Sequence, residues 1–290
     1  MHPTIEKLLT ERPVILDGAW GTQMQARGLE VGAHPDAWNL TSPEKVEEVA
    51  RDYIEAGSRI IITNTFGATS FCLKRHGLDD KVVEINRAGA EISKRAAGDR
   101  GLVFGSIGPS GVMLMMGEVA PDALQASFAE QAQALADGGV DGFVIETMSD
   151  PEEAALAVIA AKSTGLPVVA CMVFDSGADK DRTMMGTTPE QAVEKLQAAG
   201  ADVIGSNCGQ GIAGFIPVCK RMRAATDLPL WMKATAGLPE MIDGKTVYTQ
   251  TPEAFAEAAV GLVEAGADFL GGCCGTSPDF IRALTAKLKG

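Results

Sequence analysis

The stretch "VEAGADFLGGCCG" (263–275) decides the fold. It reads as the end of a helix, a glycine, a short polar turn and a buried strand. The same order recurs in "IEAGSRIIITNTF" (54–66), "ADGGVDGFVIETM" (136–148) and "QAAGADVIGSNCG" (197–209). Gly57, Gly139, Gly200 and Gly266 stand where the end of a helix needs a left-handed residue. The strands are near-continuous apolar runs, the pattern of parallel strands covered on both faces.

Four more strands fit between these units: "VILD" (14–17), "LVFGSIG" (102–108), "PVVACMVF" (167–174) and "LPLWMK" (228–233). Helical stretches follow at 43–56, 79–97, 121–138, 151–164, 189–199, 252–265 and 278–289, with a weaker one near 214–225. Ser42, Asp150, Thr188, Thr251 and Ser277 each precede a proline, which marks a helix start with a polar cap and proline in the first turn. Eight strands alternating with eight helices predict an α/β fold, a (β/α)8 TIM barrel, as a single domain over residues 1–290. An open doubly wound sheet is the alternative. Against it, "DGAWGTQ" after the first strand lacks the spacing of a dinucleotide-binding turn, and no helix is expected to open there.

The composition is that of a folded globular chain: 290 residues, 46% hydrophobic and 22% charged. The formal net charge is −13 and Lys and Arg form no cluster, which argues against nucleic acid as a partner. The start has no apolar core of a signal peptide, and no run approaches the roughly 18 apolar residues of a membrane span. The expectation is therefore a cytoplasmic protein without a membrane partner, whose six cysteines are thiols or ligands rather than disulfides.

A barrel of this kind carries its site at the C-terminal ends of the strands. The strand-to-helix connections after the first, third, fifth and seventh strands are long (18–42, 108–120, 174–188 and 234–251), and the return connections are short. The strand ends carry Asp17, Asn64, Glu146, Asn207-Cys208, Lys233 and Cys273-Cys274. Cys208 is distant from Cys273 in sequence, but one strand alone separates theirs in a closed barrel. Three thiolates from two strand ends suit a zinc site with an open fourth position. The flanking glycines of "NCGQG" and "GGCCGT" allow close backbone approach. A lone cysteine in such a place is more often a small buried hydrophobe, and it is the adjacency of two and the shared rim that favour metal. Cys72, Cys171 and Cys219 read as structural, the first on an irregular loop. Asp17 and Glu146 read as acceptors for a substrate ammonium, or else as a cap or structural pair. Lys233 is left between a part in the site and pairing with one of those carboxylates. Met113, Met115, Met116, Met184 and Met185 either face a large apolar ligand or pack within their loops.

These residues resemble a known family. "DGAWGTQMQARGL" (17–29), "TNTFGAT" (63–69), "GPSG" (108–111), "ET" (146–147), "NCG" (207–209) and "GGCCGTSP" (271–278) look like the zinc-dependent homocysteine S-methyltransferases. Within that family they look most like the homocysteine-binding module of cobalamin-dependent methionine synthase. The resemblance implies a TIM barrel and a Zn2+ ion on Cys208, Cys273 and Cys274, which holds the homocysteine sulfur as a thiolate and so takes part in catalysis. It further implies substrate contacts from Asp17, Glu146 and Asn207, with Gly21 and Thr22 near the substrate carboxylate. Methionine would be the product. The implied methyl donor is methylcobalamin or another corrinoid. No cobalamin domain is evident in the 290 residues, so that donor is expected free or on a separate corrinoid protein. The alternatives are S-methylmethionine, betaine or another small methyl donor, or a zinc-holding barrel subunit of a corrinoid system acting on another thiol. One position departs from the family pattern: Thr235 stands where the family's methionine synthase modules have an asparagine that lies near the metal.

Overall fold

The computed structural model describes residues 1–242 and 245–290. The main sheet has eight parallel strands: β1 (Val14–Ile15), β2 (Ile60–Ile62), β3 (Leu102–Ile107), β4 (Gly142–Met148), β5 (Val168–Met172), β6 (Val203–Gly211), β7 (Leu230–Thr235) and, after a hairpin of β8 (Pro239–Ile242) and β9 (Lys245–Tyr248), β10 (Phe269–Gly272). Their order is β1-β10-β7-β6-β5-β4-β3-β2. A parallel bridge between Leu16 and Ile60 brings the two edges together, with the Arg59 N–H donating to the Ile15 carbonyl at 2.7 Å. The sheet thus closes into the expected (β/α)8 TIM barrel, ringed by helices including Pro43–Glu55, Val82–Ala97, Pro121–Asp137 and Pro278–Lys289. Among the described residues no helix is long and apolar enough to cross a membrane.

Why these residues close into a barrel is visible at β6 and β7. A Cβ on Gly205 would lie 1.9 Å from the Trp231 carbonyl oxygen, so only glycine lets the two backbones approach this closely. The Trp231 ring in turn lies between Phe104 (centroids 6.0 Å apart) and Phe269 (5.5 Å). These three rings are completely buried and form an aromatic layer inside the barrel. Side chains two residues apart share a face of a strand. Ser106, Lys233 and Gly271 therefore form the next layer up, toward the C-terminal rim, and that layer is where chemistry begins.

The helix starts follow the sequence in part. Asp150 and Thr251 cap their helices by accepting from Glu152 N and Ala254 N, and Thr188 forms a capping box with Gln191. Ser42 and Ser277 make no such bond. Ser42 sits at φ −150°, ψ 52°, away from the extended geometry that aims a cap hydroxyl at the first turn.

The connections hold more structure than the sequence predicted. Short helices occupy Gly21–Ala26, Trp38–Thr41 and Ser70–Lys74, and a further one, Pro3–Leu9, precedes the barrel. The connection after β2 is consequently also long, and Cys72 sits on its helix rather than on an irregular loop. The expected loop at 234–251 contains the β8–β9 hairpin, with residues 243 and 244 outside those described.

Candidate active site

The site is assembled by two local distortions of the strands. In β4 the pairing with β5 shifts register between Ile145 and Met148, and Thr147 takes φ 62°. In β6 the pairing with β7 shifts between Asn207 and Gly211, and Cys208 takes φ 63°. Left-handed backbone is costly for a β-branched residue such as Thr147 and persists where surroundings enforce it. Here the Asn207 amide enforces it. Its Oδ1 accepts from Thr147 N at 2.7 Å, and its Nδ2 donates to Thr147 Oγ1 at 2.7 Å. The bulges re-aim the side chains at each strand end. Glu146 and Cys208 turn toward the barrel axis, where they meet the end of β10.

The three rim cysteines converge there. Cys208, Cys273 and Cys274 offer sulfurs all within 4.8 Å of one another, and the Cys208 and Cys274 sulfurs are 3.7 Å apart. Among the described residues this is the one cluster of its kind. Three sulfurs around a tetrahedral ion with Zn–S bonds of about 2.3 Å would lie about 3.8 Å apart. The donor set therefore fits zinc in both chemistry and spacing. Hydrogen bonds from Cys208 and Cys273 draw Cys274 below the ordinary thiol range, while bonds to Cys273 and Cys274 push Cys208 far above it. Tyr248 of β9 also hydrogen-bonds Cys274 and lays its ring over Gly275, where a Cβ would meet its Cγ at 2.1 Å.

Beside the sulfurs lies a cavity of about 450 Å³. Its wall includes Gly21, Thr22, Glu146, Asn207, Lys233 and the three cysteines. Glu146 is buried. Its Oε1 accepts from Ser106 Oγ at 2.5 Å and its Oε2 from Asn207 Nδ2 at 3.4 Å. Burial pushes its carboxyl up to about 7, against the opposing pull of Lys233 and Ser106. Gly21 and Thr22 open the short helix Gly21–Ala26, whose start has no side-chain cap. Thr22 Oγ1 is buried and has no hydrogen-bond partner among the described residues.

Asp17 is placed differently from Glu146. It has no exposed surface and does not line the cavity. Its Oδ1 accepts from Lys233 Nζ at 2.6 Å, and its Oδ2 accepts from Trp20 Nε1 and Ile62 N, both at 2.8 Å. The cavity wall carries Lys233 instead, itself 2% exposed. Burial works against the Lys233 charge, but Asp17 and Glu146 outweigh it and hold its pKa above the ordinary lysine value. The pairing raised from sequence is thus present. That it puts a cation in the wall and the carboxylate behind it required the structure.

Of the other sequence candidates, Asn64 also lines the cavity, while Thr235, the remaining cysteines and the loop methionines do not. Asn64 is buried, donating to the Pro35 carbonyl and to Asn39 Oδ1. Thr235 is buried with its hydroxyl 2.7 Å from the carbonyl oxygens of Gln210 and Gly237, so it ties the end of β6 to the turn after β7. Cys171 and Cys219 are buried. Met113, Met115, Met116, Met184 and Met185 are all exposed and none lines the cavity. Ser106 and Tyr248 were missed from sequence. Ser106 carried a signal, since it is a polar residue within an apolar strand.

Comparison with known proteins agrees with this geometry. Residues 14–288 match the family model described as homocysteine S-methyltransferase. Over 97% of this chain, methionine synthase from Mycobacterium tuberculosis is 30% identical and that from Mycobacterium leprae 29% identical. The chain spans 25% and 24% of the lengths of those two proteins. The metallated form of the homocysteine methyltransferase MmuM from Escherichia coli superposes with a TM-score of 0.80 at 25% identity, covering 97% of this chain and 98% of that one. With the family model matched over nearly the whole barrel and the rim cysteines gathered at its mouth, the chain belongs to the homocysteine S-methyltransferase family.

Proposed function

We propose that this protein methylates the sulfur of homocysteine to give methionine, with Zn2+ held by Cys208, Cys273 and Cys274 and a methylated corrinoid, free or on a separate protein, as donor. The observation that carries the reading is the convergence of three thiols within 4.8 Å beside a cavity walled by Glu146. A free alkyl thiol titrates near ~8.5, and the thiolate is the nucleophile. Bound at the three cysteines, zinc would lower the pKa of a coordinating thiol and supply the nucleophile at neutral pH.

The chain's own residues orient the acceptor. Glu146 receives the substrate ammonium, with Ser106 and Asn207 holding its oxygens in place. Gly21 and Thr22, at the uncapped helix start, face the substrate carboxylate. Asp17 acts from behind the wall through Lys233. Asn207 links the Glu146 bulge to the cysteine bulge, so the two ends of the substrate are held by one rigid unit. In the reaction a sulfur–methyl bond forms as the methyl–donor bond breaks. The bonding electron pair stays on the donor and the thiol proton passes to solvent. No general base on the protein is required.

The test is methionine formation from L-homocysteine and methylcobalamin by the zinc-loaded protein, followed as loss of methylcobalamin absorbance. Product is expected, and Cys273→Ser should lose bound zinc and activity together. A zinc-free variant that retains activity would refute the metal's role. Turnover with S-methylmethionine or betaine, and none with methylcobalamin, would replace the donor.

A further inference from the structure

The polar layer beneath the cavity is electrically mixed, and this bears on which thiol it accepts. Asp17 and Lys233 are 0% and 2% exposed and form a close pair. Asp17 accepts three hydrogen bonds, from Lys233, Trp20 and Ile62. An ammonium has three N–H donors, and that of Lys233 makes one hydrogen bond to the protein among the described residues. A buried ammonium with unused donors favours an acceptor beside it. The acid close enough to interact with it from the cavity wall is Glu146.

A substrate ammonium entering this layer meets the Glu146 carboxylate and, beside it, the N–H donors of the Lys233 ammonium, which offer it no acceptor. A hydroxyl in the same place meets no such conflict. It donates to Glu146 and accepts from Lys233 Nζ at once, because a hydroxyl is both donor and acceptor. The rest of the molecule would be held as before, by its sulfur and its carboxylate.

Building on the S-methyltransferase reading, we propose that Lys233 is a specificity-determining residue that admits 2-hydroxy thiol carboxylates, the hydroxy counterparts of homocysteine, as methyl acceptors. The proposal stands on the ion pair's burial, the three hydrogen bonds that Asp17 accepts and the place of Lys233 in the cavity wall.

The experiment compares L-homocysteine with 2-hydroxy-4-mercaptobutanoate on the zinc-loaded protein, by calorimetric binding without donor and by kcat/KM with donor. The hydroxy thiol is expected to bind and react within tenfold of homocysteine. Lys233→Met should shift the ratio toward homocysteine by at least tenfold. If that variant does not fold, the double variant Asp17→Asn with Lys233→Met removes both buried charges and should show the same shift. A hydroxy thiol more than tenfold poorer than homocysteine in the unaltered protein overturns the proposal, and so does a ratio that neither variant moves. If neither thiol binds, the S-methyltransferase reading fails and takes this inference with it, whereas binding of homocysteine alone sinks only the inference.

Discussion

Replacing Glu146 by glutamine separates a cost to stability from a gain to binding. The Glu146 carboxyl is buried, and its pKa is raised from 4.5 to about 7, mainly by burial. A raised carboxyl pKa means that the folded state keeps its proton where the unfolded chain has already released it. Below pH 4.5 both states are protonated and the group contributes no difference. As pH rises toward 7 the unfolded state is favoured progressively, and above 7 the penalty levels off. Between pH 5 and pH 8 the titration of this one group should lower stability by about 2.5 kcal/mol. Glutamine does not titrate. In urea unfolding of the metal-free, reduced protein, the stability of Glu146→Gln relative to the unaltered protein should therefore rise by about that amount over the interval. A difference that stays flat within about 0.5 kcal/mol from pH 5 to pH 8 would refute the claim that Glu146 is held protonated by burial. Function should move the other way. The ionised carboxylate is the form that receives an ammonium, so homocysteine binding by the unaltered protein should strengthen as pH rises through about 7, and the glutamine variant should lack that rise.

Two further substitutions test the frame around the site. Gly205→Ala should cost about 3 kcal/mol or more in urea unfolding, because its new Cβ would lie 1.9 Å from backbone at Trp231 and neither strand can yield; a loss below about 1 kcal/mol would show that β6 and β7 can part. Asp17→Asn removes the partner of a buried ammonium and should destabilise by about 3–5 kcal/mol. That loss should shrink at high pH, where Lys233 can shed its proton, and a pH-independent loss would point to packing instead.

Much of the frame was legible in the chain. The recurring glycine-turn-strand unit reports a local requirement, a left-handed residue ending a helix, and Gly57, Gly139, Gly200 and Gly266 all have positive φ. Cys273 and Cys274 were legible as a pair because adjacency is a property of sequence. Helix starts were legible where the cap is local, as at Thr188, and misleading at Ser42, where the backbone left the capping geometry. The short helices within the connections escaped because helices of four to six residues carry too little periodicity to register against loop composition.

The sequence by itself determined the alternation of buried strands and covering helices, since apolar runs, glycine ends and proline starts act over a few residues each. It also placed chemically active side chains at the strand ends, because strand ends coincide with the limits of the apolar runs. Only the tertiary structure decided what those side chains do together. Closure brings Lys233 onto Asp17, 216 positions away, and sets Cys208 against Cys274, 66 positions away. The bulges at Thr147 and Cys208, locked by Asn207, aim a carboxylate and a thiol inward in a backbone conformation their residue types disfavour. Contacts of that range depend on barrel curvature and register, which no short stretch of the chain encodes.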